Sequence, residues 1–136
     1  MKKKRFSLSK AERISRSQDF KRVFIKGKRY RFPEFTLVVA PNDLSFSRIG
    51  IGVGRRFGKA VLRNRAKRLC RELFRLNKDS LPKGVDIIFL PRQQLLNSSW
   101  QRLQERMAEV GGIIERKIGS HKRSVKTIGL TTRGLD

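Results

Sequence analysis

Residues 55–71 read RRFGKAVLRNRAKRLCR. On a helical wheel turned by about 100° per residue from Arg63, the cations Arg63, Lys67, Arg71 and Arg68 and the amide of Asn64 fall between about 0° and 140°. Leu69, Leu62, Leu73, Ala66 and Cys70 fall between about 240° and 340°. The stretch therefore predicts a helix over 59–76 with an apolar stripe on one side and a cationic stripe on the other. A core can hold such a helix by one side while the other binds a polyanion. Glu72, at about 180°, lies off the cationic stripe.

The segments on either side supply a sheet. FTLVVA (35–40) and SRIGIGV (47–53) read as strands, joined through Pro41-Asn42-Asp43 as a hairpin. Leu81-Pro82-Lys83-Gly84 ends the basic helix, and VDIIFL (85–90) has the length of a buried strand. Upstream, Ser15 and Gln18 have capping-box spacing, Phe20, Val23 and Phe24 recur at helical spacing, and Gly27 marks a stop, which predicts a helix over 17–26. KRYRFP (28–33) reads as an edge segment limited by Pro33. Ser98 or Ser99 can cap a last helix whose apolar face is Trp100, Leu103, Met107, Val110 and Ile114, with Gly111 and Gly112 weakening its second half. The order of elements predicts an α+β domain with one mixed sheet, and the strand, basic helix, strand unit predicts a βαβ crossover, right-handed by the general rule.

The 34 Lys and Arg against 11 Asp and Glu leave a net charge of +23 on 136 residues. A nucleic acid is the first candidate to relieve that repulsion. No apolar run is long enough for a membrane span, and the basic start MKKKRFSLSKAER lacks the apolar stretch of a secretory signal. Residues 1–14 read as a basic arm, 15–118 as the domain and 119–136 as a basic tail. The lone Cys70 can form no intramolecular disulfide, which fits a reducing cytoplasm. One Cys and one His, His121 in the tail, build neither a zinc site nor a nucleophile–base pair. The acids are scattered, with no DxD. No catalytic side chain and no metal ligand set is expected, and the residues point to binding rather than bond-breaking.

The alternating Gly50, Gly52 and Gly54 permit another backbone to approach closely, or a helix to pack. They fail the nucleotide-binding patterns, because Val53 and Arg55 stand where glycines are required. Arg55 and Arg56 form a basic loop at the start of the helix, a favourable place for phosphate. Phe20 and Phe24, one turn apart, read as core by default and as a stacking platform for unpaired bases in the sharper reading. On these grounds the chain reads as a nucleic-acid-binding protein, with a ribosome-associated RNA-binding module and a DNA-binding helix among the classes left open. The last is disfavoured by few base-reading residues and no dimerisation heptads.

The segment from Gly58 to Glu72, with Arg63-Asn64-Arg65 at its centre, resembles the "RNR" signature of the bacterial ribonuclease P protein subunit. Asp19 to Phe24 with Gly27, the Ile49–Val53 strand and Asp86-Ile87-Ile88 agree with that resemblance, which covers roughly 14–115. It implies a single-domain α-β sandwich with a mixed four-stranded sheet and three helices, and a left-handed βαβ crossover in place of the right-handed default. It implies a protein that assists a catalytic RNA in removing the 5′ leader from precursor tRNA. That RNA would need magnesium, the protein's side chains would bind no cofactor, and the setting would be cytoplasmic with neither membrane nor obligate protein partner. Arg55, Arg56, Lys59, Arg63, Asn64, Lys67, Arg68 and Arg71 would face the catalytic RNA and phosphate. Phe20, Phe24 and Val38 would line the leader-binding cleft, with Val38 where the family often has Tyr. Leu90-Pro91-Arg92 replaces the family's Ala-Arg after the last strand.

Overall fold

The computed structural model describes residues 8–114. Four strands form one mixed sheet in the order β1-β2-β4-β3: β1 (Lys28–Arg31), β2 (Phe35–Pro41), β3 (Arg48–Ile51) and β4 (Val85–Pro91). β1 and β2 are antiparallel, as are β2 and β4, while β3 runs parallel to β4. The expected hairpin of the 35–40 and 47–53 strands does not form. β4 inserts between them, pairing Val38 with Ile88 on one side and Gly50 with Ile88 on the other. The hairpin that does form is β1–β2. The physical reason is burial: β4 is an apolar run that needs cover on both faces, and the centre of a sheet provides it.

Among the described residues four α-helices pack on this sheet rather than three: α1 (Ser17–Lys26), α2 (Ala60–Leu76), the single-turn α3 (Gln93–Leu96) and α4 (100–114). α2 joins the parallel neighbours β3 and β4, so the crossover unit is present. One face of the sheet, with Phe35, Leu37, Val39, Ile49, Ile87 and Phe89, is buried against α2 and α4. The ring of Phe35 meets Phe89 edge-on, with centroids 5.4 Å apart. The other face, with Val38, Ala40 and Ile88, carries α1 through Val23, together with Ile14.

Several local expectations change. α1 spans the predicted residues, but its N-cap is Arg16, and Ser15 and Gln18 make no box. The box forms earlier, between Ser9 and Glu12 around the 3₁₀ turn Lys10–Glu12. Residues 8–14 of the expected arm belong to the fold, with Ile14 donating its N–H to Ile49 (2.8 Å) and Lys78 pairing with Glu12 (2.9 Å). The rest of the arm, His121 and the 119–136 tail lie outside the described residues. Ser99 caps α4, its hydroxyl accepting from the Arg102 N–H at 3.1 Å. Leu103, Met107, Val110 and Ile114 are buried as expected, but Trp100, in the first turn, is 41% exposed. α4 runs on through Gly111 and Gly112, and a Cβ at Gly111 would stand 2.6 Å from the Ser80 carbonyl oxygen, so glycine lets the helix pack closely.

Two acids are buried in the sheet layers. Glu34, before β2, accepts from Arg106 Nε at 2.7 Å and lies 3.8 Å from Arg102. Burial pushes its carboxyl up, but the Arg106 hydrogen bond, its own backbone N–H and the charges of Arg106 and Arg102 outweigh that and hold it below the usual range. The second is Asp86 on β4. Among the described residues no helix is long and apolar enough to cross a membrane.

Candidate nucleic-acid interface

α2 turns Ala66, Cys70, Leu73 and Phe74 into the core, with Leu62 and Leu69 partly packed beside them. Phe74 falls at about 20° on the wheel, so the buried arc reaches further round than the leucines and Cys70 alone indicate. The exposed arc is displaced accordingly. Asn64, Arg65 and Arg68 are exposed together with Val61, whereas Arg63, Lys67 and Arg71 sit half-buried on the flank. Arg65 belongs to the surface and was missed by the stripe drawn from Arg63; the apolar phase of Phe74 was the signal that could have found it. Val61, Leu62, Asn64, Arg65 and Arg68 line a shallow hollow of about 430 Å³.

Among the described residues no carboxylate pairs with Arg65, Lys67, Arg68 or Arg71. Arg63 donates to the Gly58 carbonyl at 2.6 Å, which ties this side chain to the preceding loop. Glu72 is held by Arg75 at 2.6 Å; that bond, opposed by burial, keeps its carboxyl below the usual range. The acid nearest the cationic face is therefore satisfied within its own helix. Cys70 is fully buried, and burial pushes its thiol well up, so it is an apolar packing residue rather than a nucleophile.

The approach to α2 is basic as well. After β3 the chain makes the 3₁₀ turn Arg55–Phe57, anchored by buried Phe57, whose carbonyl accepts from the Gln93 side chain. Gly58 then adopts φ 146°, a conformation that a side chain would strain. Lys59 caps α2 with backbone geometry alone, and no side chain closes the helix start. Arg55, Arg56 and Lys59 are exposed around that terminus, where backbone N–H groups and the helix dipole favour an anion. Arg56 and Arg92 flank a hollow of about 300 Å³ between the ends of β3 and β4.

The second surface lies under α1. Val23 rests on the sheet, and Gly27 brings the helix end so close that a Cβ would stand 2.7 Å from Val38 Cγ1. Gly50 gives Phe20 its seat: a Cβ there would stand 2.9 Å from the ring's Cζ. Phe20 and Phe24 are half-buried, and the Arg29 guanidinium lies 5.7 Å from the Phe24 ring centroid. Val38 is fully buried, so it is part of the packed layer beneath α1 and not an exposed wall. Pairing places Arg29 beside Val38 and Arg31 beside Thr36 on this same face. Arg92 donates to Thr36 Oγ1 at 3.2 Å, and Leu90 is partly exposed. The result is a partly exposed apolar surface, Phe20, Phe24 and Leu90, with arginines around it. Arg29, Arg31 and Arg92 escaped the sequence reading because they become neighbours only through strand pairing. Among the described residues no three His, Cys, Asp or Glu side chains gather where they could hold a metal ion.

Comparison with known proteins agrees with this architecture. Residues 8–115 match the Ribonuclease P family model. The ribonuclease P protein component of Syntrophus aciditrophicus is 38% identical over 114 residues, covering 84% of this chain and 93% of the relative. That of Thermotoga maritima is 44% identical over 89 residues, covering 65% and 76%. Among solved structures, a Staphylococcus aureus ribonuclease P protein mutant with defective mRNA degradation activity aligns with a TM-score of 0.69 at 33% identity, over 78% of this chain and 90% of that one. The Thermotoga maritima ribonuclease P protein aligns with a TM-score of 0.63 at 36% identity, over 77% and 96%. With a matching family model, close relatives and the same fold in hand, the chain belongs to the bacterial ribonuclease P protein family.

Proposed function

We propose that the protein assists the catalytic RNA of ribonuclease P in removing the 5′ leader from precursor tRNA, using two separate surfaces. Membership of the family implies a role in tRNA 5′ processing and an RNA partner. In this reading the catalytic RNA contacts the exposed side of α2 and the basic loop before it: Arg55, Arg56, Lys59, Asn64, Arg65 and Arg68, with Arg63, Lys67 and Arg71 on the flank. The single-stranded leader lies on the apolar surface beside α1, where Phe20 and Phe24 offer ring faces to unpaired bases and the surrounding arginines meet phosphates.

The observation that carries the proposal is the pairing, on the same small domain, of a cation face that no carboxylate among the described residues neutralises with the half-exposed aromatic pair Phe20 and Phe24. Stacking is tolerant of base identity, which suits a leader of variable sequence. The phosphate contacts predict strong salt dependence, with a log–log slope of about −0.7 per phosphate contacted on a single strand. Chemistry in this account belongs to the RNA and its magnesium ions. The protein's part is to neutralise phosphates, so that the RNA folds at lower magnesium, and to favour precursor over mature tRNA. The setting is the cytoplasm.

Cleavage of precursor tRNA at low magnesium, by a bacterial catalytic RNA with and without this protein, tests the proposal. Cleavage only when both are present, and none with the protein alone, is the expected result. A cognate RNA whose cleavage is unchanged by the protein would overturn it.

A further inference from the structure

Asp86 stands on β4 at 0% exposure, on the α1 side of the sheet. Its Oδ1 accepts from Arg48 Nε at 2.8 Å and from Asn42 Nδ2 at 2.9 Å. Its Oδ2 accepts from Arg48 Nη2 at 2.7 Å and from Arg22 Nη2. A buried carboxylate needs such partners, and Arg48 of β3 with Asn42 of the β2–β3 connection already supply three bonds. The fourth comes from a different layer. Arg22 belongs to α1, and its Nη1 also donates to the Pro41 carbonyl at 2.9 Å. Asp19, one turn earlier on α1, lies 3.8 Å from Arg48.

The positions of these contacts around α1 matter. On a wheel started at Phe20, Phe24 falls at about 40°, while Arg22 and Asp19 fall at about 200° and 260°. Val23, at about 300°, is the completely buried contact with the sheet between them. The aromatic pair and the charged pair thus flank the Val23 contact on opposite sides, and a roll of α1 that lifts one side lowers the other. From this arrangement we infer that Asp86, acting through Arg22, is a positioning residue that sets the roll of α1 and hence how the Phe20 and Phe24 rings sit on the sheet and how much of their faces a base can reach. The inference rests on this surface being the leader site.

Arg22 is the informative residue to change. Its side chain is 31% exposed, and without it Asp86 keeps Arg48 and Asn42. Precursor and mature tRNA affinities are measured on the complex of catalytic RNA with the wild-type protein, Arg22→Ala, Arg22→Lys, Asp86→Asn and Phe20→Ala. Amide hydrogen exchange of the same protein variants is followed alongside. Arg22→Ala should lose roughly tenfold in preference for precursor, the size of one lost base stack. Mature tRNA affinity should be unchanged, and exchange should quicken in α1 but not in β2 or β4. Arg22→Lys should recover much of the preference, because an ammonium can still reach Asp86. Asp86→Asn keeps the Arg22 side chain but removes the anion, and should reproduce the loss; if it does not fold, the Arg22→Ala exchange pattern decides. The inference is overturned if Phe20→Ala abolishes the preference while Arg22→Ala leaves it intact. It is overturned equally if Arg22→Ala weakens both tRNAs alike, or if folded Asp86→Asn retains the preference. If Phe20→Ala itself has no effect, the leader-site reading falls and this inference falls with it.

Discussion

On the α2–α4 side of the sheet, Phe35, Leu37, Ile87 and Phe89 are completely buried beneath two helices, and little of that face meets solvent. On the other side the ten-residue α1 covers Val38, Ala40 and Ile88 but leaves Phe20, Phe24 and Leu90 partly exposed. The same four strands therefore present a closed face and an open one. The closed face removes far more apolar surface from water and must supply most of the folding free energy. The open face forgoes part of that stabilisation and keeps aromatic surface available to a partner. Substitutions should consequently divide into those that unfold the domain and those that spare the fold but change binding.

The largest effect is expected at Phe89, at the centre of the closed face. Phe89→Ala should cost about 3–5 kcal/mol in denaturant unfolding. A loss below about 1 kcal/mol would mean that the stability does not reside on this face.

Glu34 comes next. Its carboxylate is engaged by Arg106 beside the closed core, and removing one partner of such a buried pair costs about 3 kcal/mol. The pH dependence has a definite sign. The folded-state pKa lies below the ordinary value of 4.5, so the contribution is present above that value and disappears as the pH falls through the depressed pKa. Thermal unfolding of Glu34→Gln should therefore depend less steeply on pH below 4.5 than that of the wild type. Parallel curves would remove Glu34 from the account.

Gly50 sharpens the contrast from the open side. A methyl group there meets the far end of the half-exposed Phe20 ring, which can swing away, and comes within 3.3 Å of Ile14 Cβ, which has to give by a few tenths of an ångström. Gly50→Ala should change stability by less than about 1 kcal/mol yet reduce the preference for precursor tRNA. An equal change in precursor and mature tRNA binding would argue against this surface as the leader site.

The smallest expected effect is at Arg65. Arg65→Ala should leave stability within about 0.5 kcal/mol, weaken assembly with the catalytic RNA, and lower the magnitude of the salt slope by about 0.7–0.9. An unchanged slope would take Arg65 off the RNA-facing side.

Local pattern and distant pairing differed in how well the sequence revealed them. α1 and α2 were readable to within a residue because Phe20, Val23 and Phe24, and the leucines and Ala66 of the signature helix, repeat at helical spacing. The strands were readable as segments, but their order was not. Nothing in the Pro41-Asn42-Asp43 turn tells that β4, far along the chain, will separate β2 from β3. Trp100 kept the phase of the α4 core yet remains exposed, because phase gives a direction and not the extent of the layer it meets. Glu34 and Asp86 looked like two scattered acids, since Arg106 lies 72 residues from one and Arg22 lies 64 from the other. The cationic signature was visible, whereas Arg65 needed the buried position of Phe74, and Arg29, Arg31 and Arg92 needed the sheet itself.

The division between the two faces is tested most directly with Phe20→Ala/Phe24→Ala, by measuring affinity for precursor and mature tRNA in complex with the catalytic RNA. The account predicts precursor affinity lowered by at least tenfold, about 1–3 kcal/mol for each stacked base lost, with mature tRNA affinity unchanged and the domain still folded. Equal weakening of both tRNAs, or an unchanged preference for precursor, would contradict it.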